Sequence, residues 1–298
     1  MKKFLRRNVV VIIILIVFSG IFLYGDYLSI KSFCDMDESR NYYIEYCNAN
    51  EIVSEGEKQF CQKILTDKTI KVDFYSALSS VSQNVQWVFY LTFLIVIIPP
   101  MIRVCKMLRN KHIMNANLRE SYKDFIKKML FTAYKYLWIL PVIAIISMLP
   151  LLFSYTLTPE YSTLYGLGWS TNLIHYPVLF IFLYLLNVVI VSMVYVNISL
   201  VVARFQQKFI PCVVLSYIVF FAIEIFLETV VRVIILQRMF HSELGMIFNI
   251  MDVFGFNDMF GIPTLFIVNI SFLVVSFISV YLAYSDKEKL VIRCEKNI

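Results

Sequence analysis

Charge is scarce in this chain. Only 16% of its 298 residues are Asp, Glu, Lys or Arg, against 59% hydrophobic. Water-soluble domains carry about 25% charged residues, so a soluble globular fold is excluded. Glycine is equally sparse, and the eight present never form G-x-x-x-x-G-K-[ST], so the chain brings no P-loop of its own. There is no H-E-x-x-H and no G-x-S-x-G. The three histidines, His112, His175 and His241, each fall in or near a loop and build no catalytic or metal site. No C-x-x-C occurs, which removes the usual zinc spacing. No internal repeat is visible, and repeats are common in secondary transporters. The reading is therefore a non-enzyme without metal or cofactor. The net charge of +6 belongs to loops at a membrane surface rather than to a nucleic-acid surface.

What the chain has instead is long apolar runs. About 20 apolar residues cross the hydrocarbon core as a helix. Six runs qualify: 8–25, 84–106, 130–154, 173–203, 211–236 and 263–284. The expected fold is an all-α polytopic membrane protein, a single transmembrane domain over 1–298. The first run follows a basic stretch, Lys2, Lys3, Arg6 and Arg7, but no A-x-A-like site follows it. It reads as an uncleaved anchor rather than a signal peptide. Lysine and arginine set the orientation. Four lie at the N-terminus, eight in 103–128, two in 204–210 and four in the C-terminal tail, against none in 155–172 and one in 237–262. Residues 26–82 carry six, offset by ten acids. Both termini are expected in the cytoplasm, in the plasma membrane of a bacterium with an AT-rich genome.

Residues 26–82 read as the one sizeable outer loop. They hold Cys34, Cys47 and Cys61, which allow three single bridges, and spacing does not choose among them. Between spans two and three, NLRESYKDFIKKMLF places Leu118, Tyr122, Phe125, Ile126, Met129 and Leu130 on one helical face. Arg119, Lys123, Asp124, Lys127 and Lys128 take the other. This is an amphipathic cytoplasmic helix, held by anionic lipid or docking a partner. Between spans five and six, QRMFHSELGMIFNIMDVFGFNDMFGIP is too broken to span and too apolar for a free loop. It reads as a re-entrant-like outer segment, which must be covered by protein or line a cavity.

Span five carries a charged stripe. In FFAIEIFLETVVRVII, Glu224, Glu228 and Arg232 recur every fourth residue and share one helical face. Glu228 and Arg232 have the favourable i, i+4 order. Glu224 needs a proton or a partner, and Asn187, Ser192, Asn197 and Ser199 on span four are the cheapest, ahead of Lys135. The stripe reads either as interhelical glue or as the polar lining of a path or interface. Pro99 and Pro100 are expected to bend span two; Pro141 and Pro177 fall in or near span ends. Pro211 and Pro263 suit first turns.

The layout, with NISLVVARFQQKFIPCVVLSYIVFF at the turn between spans four and five and IFNIMDVFGFNDMFGIP before the last span, resembles the permease subunits of type-2 ABC transporters, largely exporters. The start, MKKFLRRN, is shorter than the amphipathic helix that often precedes the first span there. The resemblance implies a transport subunit that works with a separate cytoplasmic ATPase, ATP being bound on that partner. It implies a second permease, identical or different, across a translocation path. Segment 110–128, with Arg119, Glu120, Tyr122, Lys123, Phe125 and Lys127, would be the coupling helix. Two other readings compete: a non-transporting sensor, immunity or scaffold protein, and an autonomous channel or secondary carrier.

Overall fold

The structure is a computed structural model. It describes residues 2–49, 61, 62, 65, 72–109, 121–159, 171–242, 250 and 261–285. Six helical stretches are long and apolar enough to cross a membrane: Asn8–Phe33, Gln86–Arg109, Tyr122–Ser154, Pro177–Phe205, Phe209–Met239 and Ile262–Ser285. All six expected spans are present, and the protein is an all-helical, multi-pass chain.

The first helix departs most from expectation. α1 runs from Lys2 to Ala49, and its membrane-compatible part reaches Phe33, well past residue 25. Residues 26–82 are therefore not a loop throughout. Their first half continues α1, and α2 (Phe74–Asn84) precedes the second span. The reason lies in periodicity. Val11, Ile14, Phe22, Gly25, Asp26 and Ser29 are buried on one side of α1. Small and polar residues continue the helical face where hydropathy falls. α2 starts on a cap: the Asp73 carboxylate accepts from the Ser76 amide at 2.9 Å and the Ser76 hydroxyl at 2.8 Å. The Phe74 amide donates to the Thr156 carbonyl at 2.9 Å, tying α2 to the end of the third span.

Gly25 lets α1 and α2 meet. A Cβ there would lie 2.7 Å from Val85 Cγ1 and 3.5 Å from Val81 Cγ1. Valine is stiff at χ1, so the neighbour cannot swing away cheaply. Gly25→Val is expected to destabilise the protein by about 1–3 kcal/mol. Gly20→Val, with nothing within 4 Å of the added carbon, serves as the silent control in thermal unfolding in detergent.

α3 (Gln86–Arg109) passes through Pro99 and Pro100. α4 (Tyr122–Tyr134) and α5 (Ile139–Ser154) together make the third span, broken over 135–138. Pro141 explains the break. It lacks an amide and crowds the carbonyl four residues back, and the turn there tightens to Leu137 N–Tyr134 O at 3.1 Å and Ile139 N–Tyr136 O at 3.2 Å. After α6 (Thr171–Ile174), Pro177 opens α7 (Pro177–Phe205) at its first turn.

α8 (Phe209–Phe226) has Pro211 in its first turn and passes into a π-helical segment, π1 (Leu227–Met239). Six of the seven residues from Thr229 to Ile235 are β-branched. They crowd the turns of an α-helix, and wider i→i+5 closure eases that crowding. The Phe240 amide accordingly reaches the Ile235 carbonyl at 3.2 Å. α9 (Ile262–Ser285) is the last span, with Pro263 in its first turn.

The core is aromatic where spans two, four and five cross. Phe93 and Phe220 stack with ring centres 4.5 Å apart, and Tyr195 meets each edge-on at 5.2 Å. Spans four and six make the most extensive helix pair.

Candidate functional site

The basic helix expected between spans two and three forms as its periodicity predicts, from Tyr122 onward, as the first part of span three. Ser121 caps it: the Ser121 hydroxyl accepts from the Asp124 amide at 3.2 Å and donates to the Asp124 carboxylate at 2.6 Å. Phe125, Met129 and Ala133 are buried, while Lys123, Lys127 and Lys128 are exposed. Arg119 and Glu120 lie outside the described residues, as does 110–118. The helix is not a free appendage. The Tyr122 hydroxyl donates to the Tyr284 carbonyl at 2.7 Å on span six, and the Tyr284 hydroxyl donates to the Leu200 carbonyl at 2.8 Å on span four. α4 also runs into the hinge before α5. Next to that hinge, the Arg103 guanidinium lies 5.2 Å from the Tyr136 ring centre and donates to Asn8 on span one at 3.3 Å. α4 is thereby joined to spans three, four and six. A groove of about 470 Å³ opens between α4 and α9, with Lys123, Lys127, Ile126 and Leu130 on one wall and Phe277 and Tyr281 on the other.

The charged stripe on span five divides. The Arg232 guanidinium donates to the Glu228 carboxylate at 2.7 Å, and both side chains are about one-third exposed. Glu224 is only 3% exposed and continues the buried face of Cys212, Ser216 and Phe220. The span-four groups considered as its partners are engaged elsewhere. The Asn269 amide donates to the Asn187 carbonyl oxygen at 2.6 Å, and the Asn197 amide donates to the Ser276 hydroxyl at 2.8 Å. The Tyr134 hydroxyl also donates to Asn197. Ser192 and Ser199 donate to their own helix, at Val188 and Val196. Lys135 is exposed. Asn187 and Asn197 of span four thus bind span six, and Asn197 binds span three as well. Asn197→Leu, which breaks two of these bonds, is expected to cost about 1 kcal/mol and at most roughly 2, read as a lower unfolding temperature in detergent.

Spans five and six each pack along span four but barely touch one another. A cavity of about 190 Å³ fills the gap, lined by Val194, Asn197 and Val202 of span four, Val219 and Ile223 of span five, and Val275 and Ser276 of span six. Ile250 also lines it, and the Tyr195 hydroxyl donates to the Ile250 carbonyl at 2.6 Å. Residues 243–249 and 251–260 on either side lie outside the described residues. No family model, characterised protein or solved structure matches this chain.

One buried acid went unnoticed in the sequence. Asp26 is 2% exposed, inside the first span, and one carboxylate oxygen accepts from the Ser147 hydroxyl of span three at 3.5 Å. The other has no hydrogen-bond partner. The helical face that holds Gly25 and Ser29 was the signal for it. Nearby on α2, Tyr75 is fully buried; burial, with Asp73 beside it, pushes its hydroxyl up to about 12, so it stays neutral at physiological pH.

Cys47 and Cys61 are joined by a disulfide, with Cα atoms 5.5 Å apart. Cys34 sits on the same helix as Cys47, 13 residues and about 20 Å before it at 1.5 Å per residue. That exceeds any bridge between those two. Proteolysis without reductant is expected to release a linked Cys47–Cys61 fragment and none joining Cys34 to Cys47. Cys105 and Cys212 are buried free thiols in hydrogen-bond contact across spans two and five. Among the described residues no three His, Cys, Asp or Glu side chains gather as a metal site.

Proposed function

We propose that this chain is the membrane-spanning permease subunit of an ATP-driven transporter, an exporter, coupled to a separate ATPase. The observation that carries the reading is α4. It is a capped, basic, amphipathic helix whose apolar face is seated on the bundle. Its lysines face outward, and Tyr122 clasps it to span six. A cytoplasmic motor needs such a handle: a firm element that meets it through charge and passes its motion to several spans. The distribution of Lys and Arg supports a cytoplasmic position for this helix and for both termini. The Ile250 carbonyl is held by Tyr195 of span four. A second permease copy would complete the path.

The test is purification from native membranes in a mild detergent, followed by identification of stoichiometric partners and an ATPase assay. A co-purifying P-loop protein is the expected result. A solitary chain without ATPase activity in several mild detergents overturns the reading. A second reading, an ion-coupled carrier, draws on the carboxylates of Asp26 and Glu224 inside the bundle. It predicts transport by the isolated chain in proteoliposomes without ATP.

A further inference from the structure

We propose that the cavity between spans four, five and six binds a single alkyl or isoprenoid chain of a membrane amphiphile. The lining decides the chemistry. Val194, Val219, Ile223 and Val275 supply apolar walls. The polar side chains that reach it are already engaged: the Asn197 amide with the Ser276 hydroxyl, and the Ser279 hydroxyl with the Val275 carbonyl. An apolar cavity of this size stays dry and takes apolar guests. At about 190 Å³ it is smaller than the roughly 300–1,000 Å³ of sites for drug-sized molecules. It suits one chain better than a folded peptide, a sugar or a hydrated ion.

Position decides the source. Asn197 lies eight residues, about 12 Å, before the end of α7 at Phe205. Ser276 lies nine residues, about 14 Å, before the end of α9 at Ser285. Both are near the middle of a hydrocarbon core about 30 Å thick. The cavity opens between two spans that barely touch, and Val275 at its lip is 62% exposed. At that depth the molecules beside the opening are lipid chains. Ile250 lines it as well, adding a further apolar wall for a chain that enters sideways. As a binding site this stands apart from the transport reading and needs neither ATPase nor second subunit.

The experiment uses the full chain in nanodiscs of phosphatidylcholine in which one acyl chain carries a photoactivatable diazirine at its middle. Adducts are mapped by peptide mass spectrometry. The expected adducts fall on Val194 and Val202, which packing hides from bulk lipid, and spare Val188 and Val191, equally buried on the same helix. Val219→Trp or, at Val201, which also lines the cavity, Val201→Phe should reduce those adducts roughly tenfold, the scale on which a hydrophobic pocket rejects an added group. Labelling of lipid-facing Phe182 should not change. Adducts confined to lipid-facing residues in the unaltered protein overturn the proposal, whether or not the variants fold. So does protection of the cavity by a second copy of the chain that occupies it.

Discussion

Phe220→Ala is expected to cause a large loss of stability. Phe220 is fully buried and stacks on Phe93 of span two, while Tyr195 of span four meets both rings edge-on. Removing it takes the shared partner from two other spans at once. In a soluble core, Phe→Ala costs about 3–5 kcal/mol, part of it lost transfer from water and part the cavity left behind. Between membrane helices the first part largely disappears, because the side chain leaves protein for hydrocarbon rather than for water. The packing and cavity part remains, giving about 2 kcal/mol or somewhat more. Thermal unfolding in a fixed detergent would show it. Phe182→Ala, at a ring 60% exposed on the outer side of span four, should leave the midpoint almost unchanged. Equal effects at the two positions would mean that the aromatic knot does not hold the bundle.

Reversing charge at Lys123 and Lys127 together is expected to have the largest effect on activity. Both lysines are exposed one turn apart on a helix whose opposite face is fixed to the bundle. Glutamates there leave Phe125, Met129 and the Tyr122–Tyr284 bond untouched, so insertion and folding should persist. A partner that meets this face through acidic groups would then meet like charge, a penalty that can reach several kcal/mol. Each 1.4 kcal/mol is tenfold, so retention of an ATPase and its activity in the complex should fall about tenfold or more. Raised salt should weaken the native contact in the same direction, since exposed charge pairs are screened. Normal partner retention by the double variant would remove α4 as the docking element, while the co-purification itself would still test the permease reading.

Much of this architecture was legible beforehand because a bilayer constrains sequence strongly. A spanning helix must be about 20 residues long and apolar, so each of the six spans announces itself. The amphipathic helix at 121–130 was readable for a related reason: Phe125 and Met129 recur at the helical period, and lysines fill the gaps. The Glu228–Arg232 pair followed from spacing alone and forms at 2.7 Å. Asp26 was lost for the opposite reason. Hydropathy falls at Gly25-Asp26, so the small-residue face of Gly25 and Ser29 is only a faint sign of burial, and the packing of α1 on its neighbours establishes it. The break before α5 is local chemistry at Pro141, whereas the π-helical stretch depends on a run of β-branched residues whose joint effect no single position reveals.

The sequence by itself determined the class of the protein, the number of spans and the place of the basic helix. Those follow from transfer free energy, which each segment meets alone. Tertiary structure decided which polar groups meet. Asn187 and Asn197 could have served Glu224, yet they bind Asn269 and Ser276. It also paired Cys47 with Cys61, left a gap between spans five and six, and set Ile250 against that gap. Such choices depend on how helices rotate and tilt against one another. Any apolar face satisfies lipid equally well, so the rotation is fixed only by packing and by interhelical hydrogen bonds.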